Sequence, residues 1–392
     1  MSRLAPLRPT LACGILALLA SATTVVAHGN SATHAHGAKA AASGDLTPEE
    51  VFEALMRQRR YPDMHDKARE FLTDKVVEND VVAKFWVGRA LRAERKYDQA
   101  RAQFQEVARR YPKHELGRTA KLESALPLIA QLKGSAKTKA EVDLATQAAA
   151  EFKAAAKELA DDGDLASRAL FLAGNAHRMC GQDAEAIKAY QDCAKVTTET
   201  DYPAKCLYGE GTVIARNFDG PKAQTLFSKC LADYPEGSYA KRCKKGIGRM
   251  KAVGDPAPEF NVETWIHDPK VTMSSLRGKV VIIFFFATWC PHCKAALPGF
   301  AEWKTKFGDK VQLIGMTANS RGQTTESAKL FVEDPQWDID YPCAVDLGTK
   351  TSAAMAATGL PQIVLIDKKG VMRWIDHPNY LTESMIATLV KE

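Results

Sequence analysis

The segment Lys279-Val-Val-Ile-Ile-Phe-Phe-Phe-Ala-Thr-Trp-Cys-Pro-His-Cys-Lys294 decides how the C-terminal part of this 392-residue chain folds. After Lys279 comes an unbroken apolar run, which is typical of a central β-strand covered on both faces. The Cys-Pro-His-Cys motif follows almost at once, and a helical pattern then extends to about Phe307. The segment therefore predicts a strand, a turn that carries two cysteines, and a helix.

More strands and helices are predicted after this segment. Apolar, strand-like stretches lie at Val311–Met316, Cys343–Val345, Gln362–Ile366 and Val371–Ile375. Helical stretches lie at Ser327–Glu333, Thr351–Thr358 and Leu381–Lys391. The resulting order β-α-β-α-β-β-α predicts an α/β domain. The segment Val253-Gly-Asp-Pro-Ala-Pro-Glu-Phe260 contains two prolines and marks a linker, so we assign residues 251–392 to this domain.

Several of these motifs resemble the thioredoxin superfamily, specifically its exported TlpA/ResA-like redoxin branch, which is related to AhpC/TSA proteins. The matching residues are Val253–Phe260, Leu276–Lys279, Phe286–Cys293, Gly359–Pro361 and Asp367–Gly370. The resemblance covers essentially all of 251–392, and it implies a thiol–disulfide oxidoreductase without a cofactor. A lone C-x-x-C can be half of a zinc site, but no second ligand pair with suitable spacing exists, so no metal is predicted.

The two cysteines of the motif suit thiol–disulfide exchange. Cys290 precedes a helix N-terminus, where the helix dipole and free N–H groups favour a thiolate, so it is the predicted nucleophile. Cys293, one turn into the helix, is predicted to resolve the mixed disulfide. Pro291 suits a helix start, and Trp289 is expected to shield the pair. The resemblance implies that Pro361 is a cis-proline facing the disulfide and shaping the substrate groove, and that Leu360 before it alters that groove.

The direction of electron transfer is open. Cys-Pro-His-Cys is the motif of the strong oxidant DsbA, and His292 is expected to stabilise the Cys290 thiolate and hence the reduced form. Family members that reduce clients carry an acid where this chain has Phe284 or Ala296, which favours an oxidant or isomerase. A peroxidase is disfavoured, because Thr288 is two residues before Cys290 and the required proline is missing.

Residues 47–250 predict an all-α half. Four glycines recur along it, at Gly88, Gly174, Gly211 and Gly248, and the first three are followed at fixed spacings by alanine and an aromatic residue. Small residues let two helices approach closely, so this pattern resembles the tetratricopeptide repeat. We predict units at Lys84–Pro112, Leu170–Thr198 and Leu207–Pro235, a degenerate Ala-rich helix at Ala140–Leu159 and an irregular helix pair at 48–73. An irregular bundle is the alternative.

The repeat register also pairs cysteines. Cys193 and Cys230 are equivalent, as are Cys206 and Cys243, so each C-x12-C unit joins the end of one helix to the start of the next. We therefore predict disulfides Cys193–Cys206 and Cys230–Cys243, each worth about 3 kcal/mol. Four separate buried thiols are the alternative. Of the remaining three cysteines, Cys13 is expected to leave with an N-terminal signal peptide, and Cys180 and Cys343 are either free or paired with each other.

The N-terminus predicts export. Residues 1–27 combine early arginines, a short apolar run and a Val-x-Ala cleavage site, as in a signal peptide; a retained anchor is the alternative. Residues 28–46 predict a disordered linker. Its His28, His34 and His36 suit weak copper or zinc binding, but a solvated tail is the simpler interpretation. We expect a periplasmic protein with no stable membrane span after cleavage.

The charge balance points away from nucleic acid. The formal net charge is +6, scattered without a dense basic block. We therefore predict an exported enzyme that exchanges disulfides with protein clients. Its repeats are expected to bind a partner, and a membrane or periplasmic redox protein is one candidate. The alternative is a helical-repeat scaffold with an inactive thioredoxin-like domain.

Overall fold

The structure is a computed structural model, and it describes residues 46–72, 76–132, 136, 138–267 and 270–392. The predicted signal peptide and its Cys13, and the linker histidines at 28, 34 and 36, lie outside the described residues. Pro48–Glu392 pack as one unit. Within the described ranges, no helix combines the length and apolar character needed to cross a membrane.

Twelve helices build the first half of the described chain. They are α1 (Pro48–Arg57), α2 (Tyr61–Phe71), α3 (Val77–Ala93), α4 (Tyr97–Arg110), α5 (Glu115–Glu123), α6 (Leu126–Ala130), α7 (Lys139–Glu158), α8 (Gly163–Met179), α9 (Asp183–Ala194), α10 (Tyr202–Arg216), α11 (Gly220–Asp233) and α12 (Ala240–Ala252). The pairs α3/α4, α8/α9 and α10/α11 occupy the three predicted repeat units. The predicted all-α half is confirmed, and its last helix runs two residues past the expected boundary at 250.

Glycines let the helices of each pair approach closely. A Cβ atom added at Gly211 of α10 would lie 2.6 Å from the ring of Phe227 on α11, and one at Gly88 of α3 would lie 2.8 Å from Phe104 on α4. The ring of Phe227 also packs against Gly246 of α12, where an added Cβ atom would lie 2.7 Å from the ring. Gly248, the glycine singled out by the sequence pattern, has nothing within 4 Å of that position.

The second half is a six-stranded mixed sheet with helices. Its strands are β1 (Val262–Trp265), β2 (Val280–Phe285), β3 (Val311–Thr317), β4 (Cys343–Asp346), β5 (Gln362–Ile366) and β6 (Met372–Asp376). Its helices are α13 (Pro291–Phe307), α14 (Thr325–Glu333), α15 (Lys350–Ala354) and α16 (Glu383–Lys391). The strand order is β1-β4-β3-β2-β5-β6. All six residues of β2 are buried, as its apolar run predicts.

Strand β1 is absent from the predicted element order. It has only four residues, and none of them is fully buried, so it shows no alternation that a sequence pattern can detect. It is an edge strand that pairs antiparallel with β4. Pairing with a strand some eighty residues later is a long-range contact, and local propensity does not report such contacts.

The helical half packs against the last strand of the sheet and the loop after it. Arg249 of α12 forms an ion pair with Asp376 at 2.5 Å, and both side chains are mostly buried. The guanidinium of Arg178, at the end of α8, lies 4.8 Å from the centre of the Tyr380 ring. Arg373 of β6 lies 5.0 Å from the ring of Phe218. Part of the surface of the helical repeats is therefore occupied by the α/β domain of the same chain.

Candidate active site

Cys290 lies in the short connection between the central strand and a helix. Strand β2 ends at Phe285, and α13 begins at Pro291, so Cys290 is the residue that caps the helix N-terminus. Its Sγ accepts a hydrogen bond from the backbone N–H of Cys293 at 3.3 Å. Pro291 occupies the first helical position, where its missing N–H costs nothing. An N–H group and the positive end of a helix therefore both point at this sulfur.

Cys293 lies behind Cys290 in the core. Both thiols are free and buried, and both belong to the apolar cluster that includes Phe284 and Phe300. Burial raises the pKa of Cys293, and the neighbouring Cys290 sulfur raises it further. The apolar ring of Phe284 lies in this cluster, with its centre 4.5 Å from that of Phe300. The folded protein therefore favours the protonated form of the Cys293 thiol.

Exposed side chains surround the first cysteine. Trp289 is 37% exposed, His292 is exposed, and Leu360 is 43% exposed, although large apolar residues are usually covered. The guanidinium of Arg321 lies 4.6 Å from the centre of the Trp289 ring. Apolar and positively charged side chains at this site are thus exposed to solvent.

The segment before β5 adjoins the same end of β2. The Leu360–Pro361 peptide bond is cis. Gln362 pairs with Phe285, the last residue of β2, so Pro361 lies beside the turn that leads to Cys290. The Gln362 side chain accepts a hydrogen bond from the N–H of Gly359 at 2.9 Å, which fixes the loop. A cavity of about 360 Å³ opens next to Leu360 and Phe286.

A buried glutamine, which sequence reasoning missed, anchors the cysteine loop. The side-chain oxygen of Gln323 accepts hydrogen bonds from the N–H and hydroxyl of Thr288, at 2.7 and 2.8 Å. Its amide donates to Thr317 Oγ1 at 2.8 Å, and that hydroxyl donates to the carbonyl of Phe286. This network ties the loop to the end of β3. No signal in the sequence separates Gln323 from other polar loop residues.

His377 is a second residue that the sequence did not reveal. It follows β6 and is half-buried, and burial lowers its pKa, an effect opposed by Asp376 and reinforced by His292. Its backbone N–H donates to Asp376 at 2.8 Å, the carboxylate that also binds Arg249. The loop that carries His377 is thus held to the helical half through the Arg249–Asp376 ion pair.

The other cysteines are separate from this pair, although Cys343 belongs to the same apolar cluster. Cys193 bonds to Cys206 and Cys230 bonds to Cys243, with Cα–Cα distances of 6.2 and 6.4 Å. Each bridge joins the second helix of a repeat to the first helix of the next. Cys180 and Cys343 are free; the first is half-buried and the second fully buried. Across the described ranges, no three His, Cys, Asp or Glu side chains come together as a metal site would require.

Comparisons with known proteins point to the same two halves. Residues 253–375 match the AhpC/TSA family, and residues 82–114 match the tetratricopeptide repeat. The thiol-disulfide oxidoreductase ResA of Bacillus cereus is 35% identical over 136 residues, which is 34% of this chain and 72% of that protein. The thioredoxin-like protein YneN of Bacillus subtilis is 24% identical over 34% of this chain and 76% of its own length. The crystal structure of a thiol-disulfide isomerase from Corynebacterium glutamicum is 26% identical over 35% of this chain and 97% of its own, with a TM-score of 0.32.

Proposed function

Because this chain belongs to the thioredoxin superfamily, in its TlpA/ResA-like redoxin branch, we propose that it is an exported thiol–disulfide oxidoreductase that exchanges disulfides with protein clients through Cys290 and Cys293. One observation carries the proposal. The Cys290 sulfur caps a helix N-terminus and accepts the N–H of a second cysteine at 3.3 Å. That arrangement favours a nucleophilic thiolate with a resolving thiol one helical turn away.

The exchange proceeds in two balanced steps. The Cys290 thiolate attacks a client disulfide; one client sulfur leaves as a thiolate and takes up a proton, and a mixed disulfide forms. Cys293 then loses its proton, its sulfur attacks Cys290, and the second client thiol is released. Two electrons pass from the cysteine pair to the client. The reverse sequence oxidises a client dithiol, and in either case a second thiol- or disulfide-bearing redox protein restores the pair.

The residues around the pair favour an oxidant or isomerase. Cys293 must lose its proton in the reductive direction, yet burial raises its pKa. Phe284 and Ala296, at the positions where related proteins carry acids, supply no proton acceptor. His292 is exposed beside Cys290 and, when protonated, favours the thiolate of the reduced form. A stabilised reduced form makes the disulfide a stronger oxidant.

The first test is client turnover by the full-length protein. We expect it to reduce insulin or to rescue scrambled ribonuclease, and Cys290→Ser to fall to the uncatalysed rate. Cys180→Ser is the matched control, because it removes a free cysteine from the helical half. Equal rates for wild type and Cys290→Ser would overturn the proposal and leave a scaffold function. Cys293→Ser should accumulate the mixed disulfide with the client, because its resolving sulfur is gone.

The direction is tested by the reduction potential of the Cys290–Cys293 pair in the full-length protein. The protein is equilibrated in glutathione buffers, and mass spectrometry of alkylated peptides gives the oxidised fraction of this pair alone. We expect a value towards that of DsbA, about −120 mV. A value near that of thioredoxin, about −270 mV, would reverse the assigned direction.

The proposed location and partner rest on the sequence pattern. Residues 1–27 have the order of regions of a signal peptide, and an exported chain suits two disulfides in its repeats. N-terminal sequencing of protein from a periplasmic fraction should begin near His28; an intact N-terminus would indicate an anchor instead. The tetratricopeptide match supports partner binding by the repeats, which would raise the local concentration of that partner near Cys290.

A further inference from the structure

A second cavity, of about 430 Å³, lies in the helical half and plays no part in the redox chemistry. It opens between α1, α3, α6 and the turn that joins α3 to α4. Three arginines line it, and apolar or aromatic side chains complete its wall: Arg89, Arg92, Arg95, Met56, Tyr97 and Ala130. Its volume falls in the range of small-molecule sites, about 300–1,000 Å³.

Several arginines gather beside this cavity, and one buried carboxylate pairs with three of them. Glu123 of α5 is 1% exposed and accepts hydrogen bonds from Arg92 at 2.5 Å and from Arg168 at 2.6 Å. Arg89 lies farther from the same carboxylate, at 3.4 Å. Three guanidinium groups therefore share one carboxylate. Arg95 is exposed and lines the same cavity, adding a fourth positive charge.

Arg89 is the least compensated of the three. Its guanidinium packs on the rings of Phe85 and Trp86, 4.7 Å from each ring centre, and its buried Nε–H has no hydrogen-bond partner within the described ranges. Burial lowers the pKa of Arg89, and the neighbouring Arg168 and Arg92 lower it further against the effect of Glu123. Arg89 is thus a partly buried cation, 28% exposed, and its incompletely paired charge costs free energy unless an anion binds beside it.

We propose that this cavity binds a small organic oxyanion, with a carboxylate or phosphate head against Arg89, Arg92 and Arg95. Guanidinium groups present planar donors that match both kinds of oxyanion, and a bound anion pairs with their positive charge. The side chains of Met56 and Ala130 give the remaining wall an apolar character. The ligand therefore carries a compact apolar body behind its charged head. This inference does not depend on the proposed redox function.

Calorimetric titration of the full-length protein tests the site. The probes are benzoate and phenyl phosphate, with benzamide as the neutral analogue and inorganic phosphate as the head group without a body. We expect saturable binding to one site by at least one of the two aromatic anions, and none by benzamide. Which of the two binds tells carboxylate from phosphate. Failure of both, or equal binding of benzamide, would overturn the proposal.

Two variants locate the binding, and a third controls for net charge. Arg95 is exposed and does not pair with Glu123, so the Arg95→Gln variant should fold normally. It should bind the anion about tenfold more weakly. Arg89→Lys keeps the charge but loses the planar donors, and a comparable loss is expected. Arg59→Gln removes the same charge from another exposed arginine and serves as the control. Arg59, like Arg95, has a positive φ in a turn between two helices, but it does not line the cavity. If Arg59→Gln weakened binding as much as Arg95→Gln, the binding would reflect the overall positive charge and not this cavity, which would overturn the proposal.

Discussion

The bridged cysteines of the helical half and the paired cysteines of the α/β half are both buried at helix ends, yet their surroundings differ. In the repeats, Cys193 Sγ lies 3.7 Å from the carbonyl oxygen of Tyr202, and Cys230 Sγ lies 3.6 Å from that of Ala204. In the α/β half, Cys290 Sγ instead accepts an N–H at a helix N-terminus. Carbonyl oxygens repel a thiolate, whereas an N–H stabilises it.

The comparison teaches that burial alone does not make a cysteine structural or reactive. The bridges join two helices whose cysteines are 13 residues apart, so each closes a loop and limits the unfolded chain. Cys290 and Cys293 are free thiols, and a disulfide between them would close a loop of only a single helical turn and constrain almost nothing. The proposed use of this pair lies in the asymmetry between a sulfur held by an N–H group and a sulfur whose pKa burial raises.

The largest expected difference concerns stability. Replacing Cys193 and Cys206 together by serine should lower the free energy of unfolding by about 3 kcal/mol, because the unfolded chain regains loop freedom. Denaturant unfolding measures it. Insulin turnover per folded molecule should not change, since the bridge does not touch the redox site. A loss of turnover by the folded variant would show that the two cysteine classes are coupled.

Helix packing in the repeats gives the next effect. Gly211→Ala places a methyl group 2.6 Å from the Phe227 ring and should destabilise the protein by about 2 kcal/mol. Gly248→Ala is the matched control, since nothing lies within 4 Å of its Cβ position, and it should be neutral or stabilising by up to about 1 kcal/mol. Thermal unfolding of both variants measures the contrast. Equal shifts would contradict the assigned packing.

The free energy of unfolding should depend on pH through Cys293, whereas the bridged cysteines do not titrate. Because burial raises the pKa of Cys293, the folded state favours its thiol, and that stability is complete below the unfolded pKa of about 8.5. Above this pH the unfolded chain ionises first, so stability should fall by about 1.4 kcal/mol per pH unit. Unfolding of Cys290→Ser between pH 8 and 10 tests this. Adding Cys293→Ser should make the slope shallower by up to about 1.4 kcal/mol per pH unit. A remaining slope is expected, because burial also raises the pKa of Cys343; an unchanged slope would contradict the assignment to Cys293.

The smallest expected effect is kinetic. Ala296 is half-buried beside the Cys293 cluster, one turn along α13, and Ala296→Glu supplies the missing proton acceptor. Insulin reduction at pH 7 should accelerate about fivefold. This acceleration is smaller than a general acid or base usually gives, because the carboxylate would be partly solvated. Ala296→Gln controls for size. If the Gln variant accelerated reduction equally, proton transfer would not be the cause.

Much of both halves could be predicted from local patterns. The 37-residue spacing of Cys193 and Cys230 reflects the repeat, because identical helix pairs place equivalent residues at equivalent points. The apolar run before Cys290 predicts a covered strand, since an unbroken apolar stretch must be buried on both faces. These features need only neighbours along the chain.

Other features came only with the tertiary structure, because they join residues far apart in sequence. Gln323 reaches Thr288 across 35 positions, and Arg249 reaches Asp376 across more than 120. Glu123 draws arginines from two distant helices. Sequence by itself therefore determined most of the elements, the repeats and the position of the Cys290–Cys293 motif between a strand and a helix, which follow from periodicity and spacing. Folding alone decided which polar side chains meet, because a buried polar group takes its partner from whatever element packs against it.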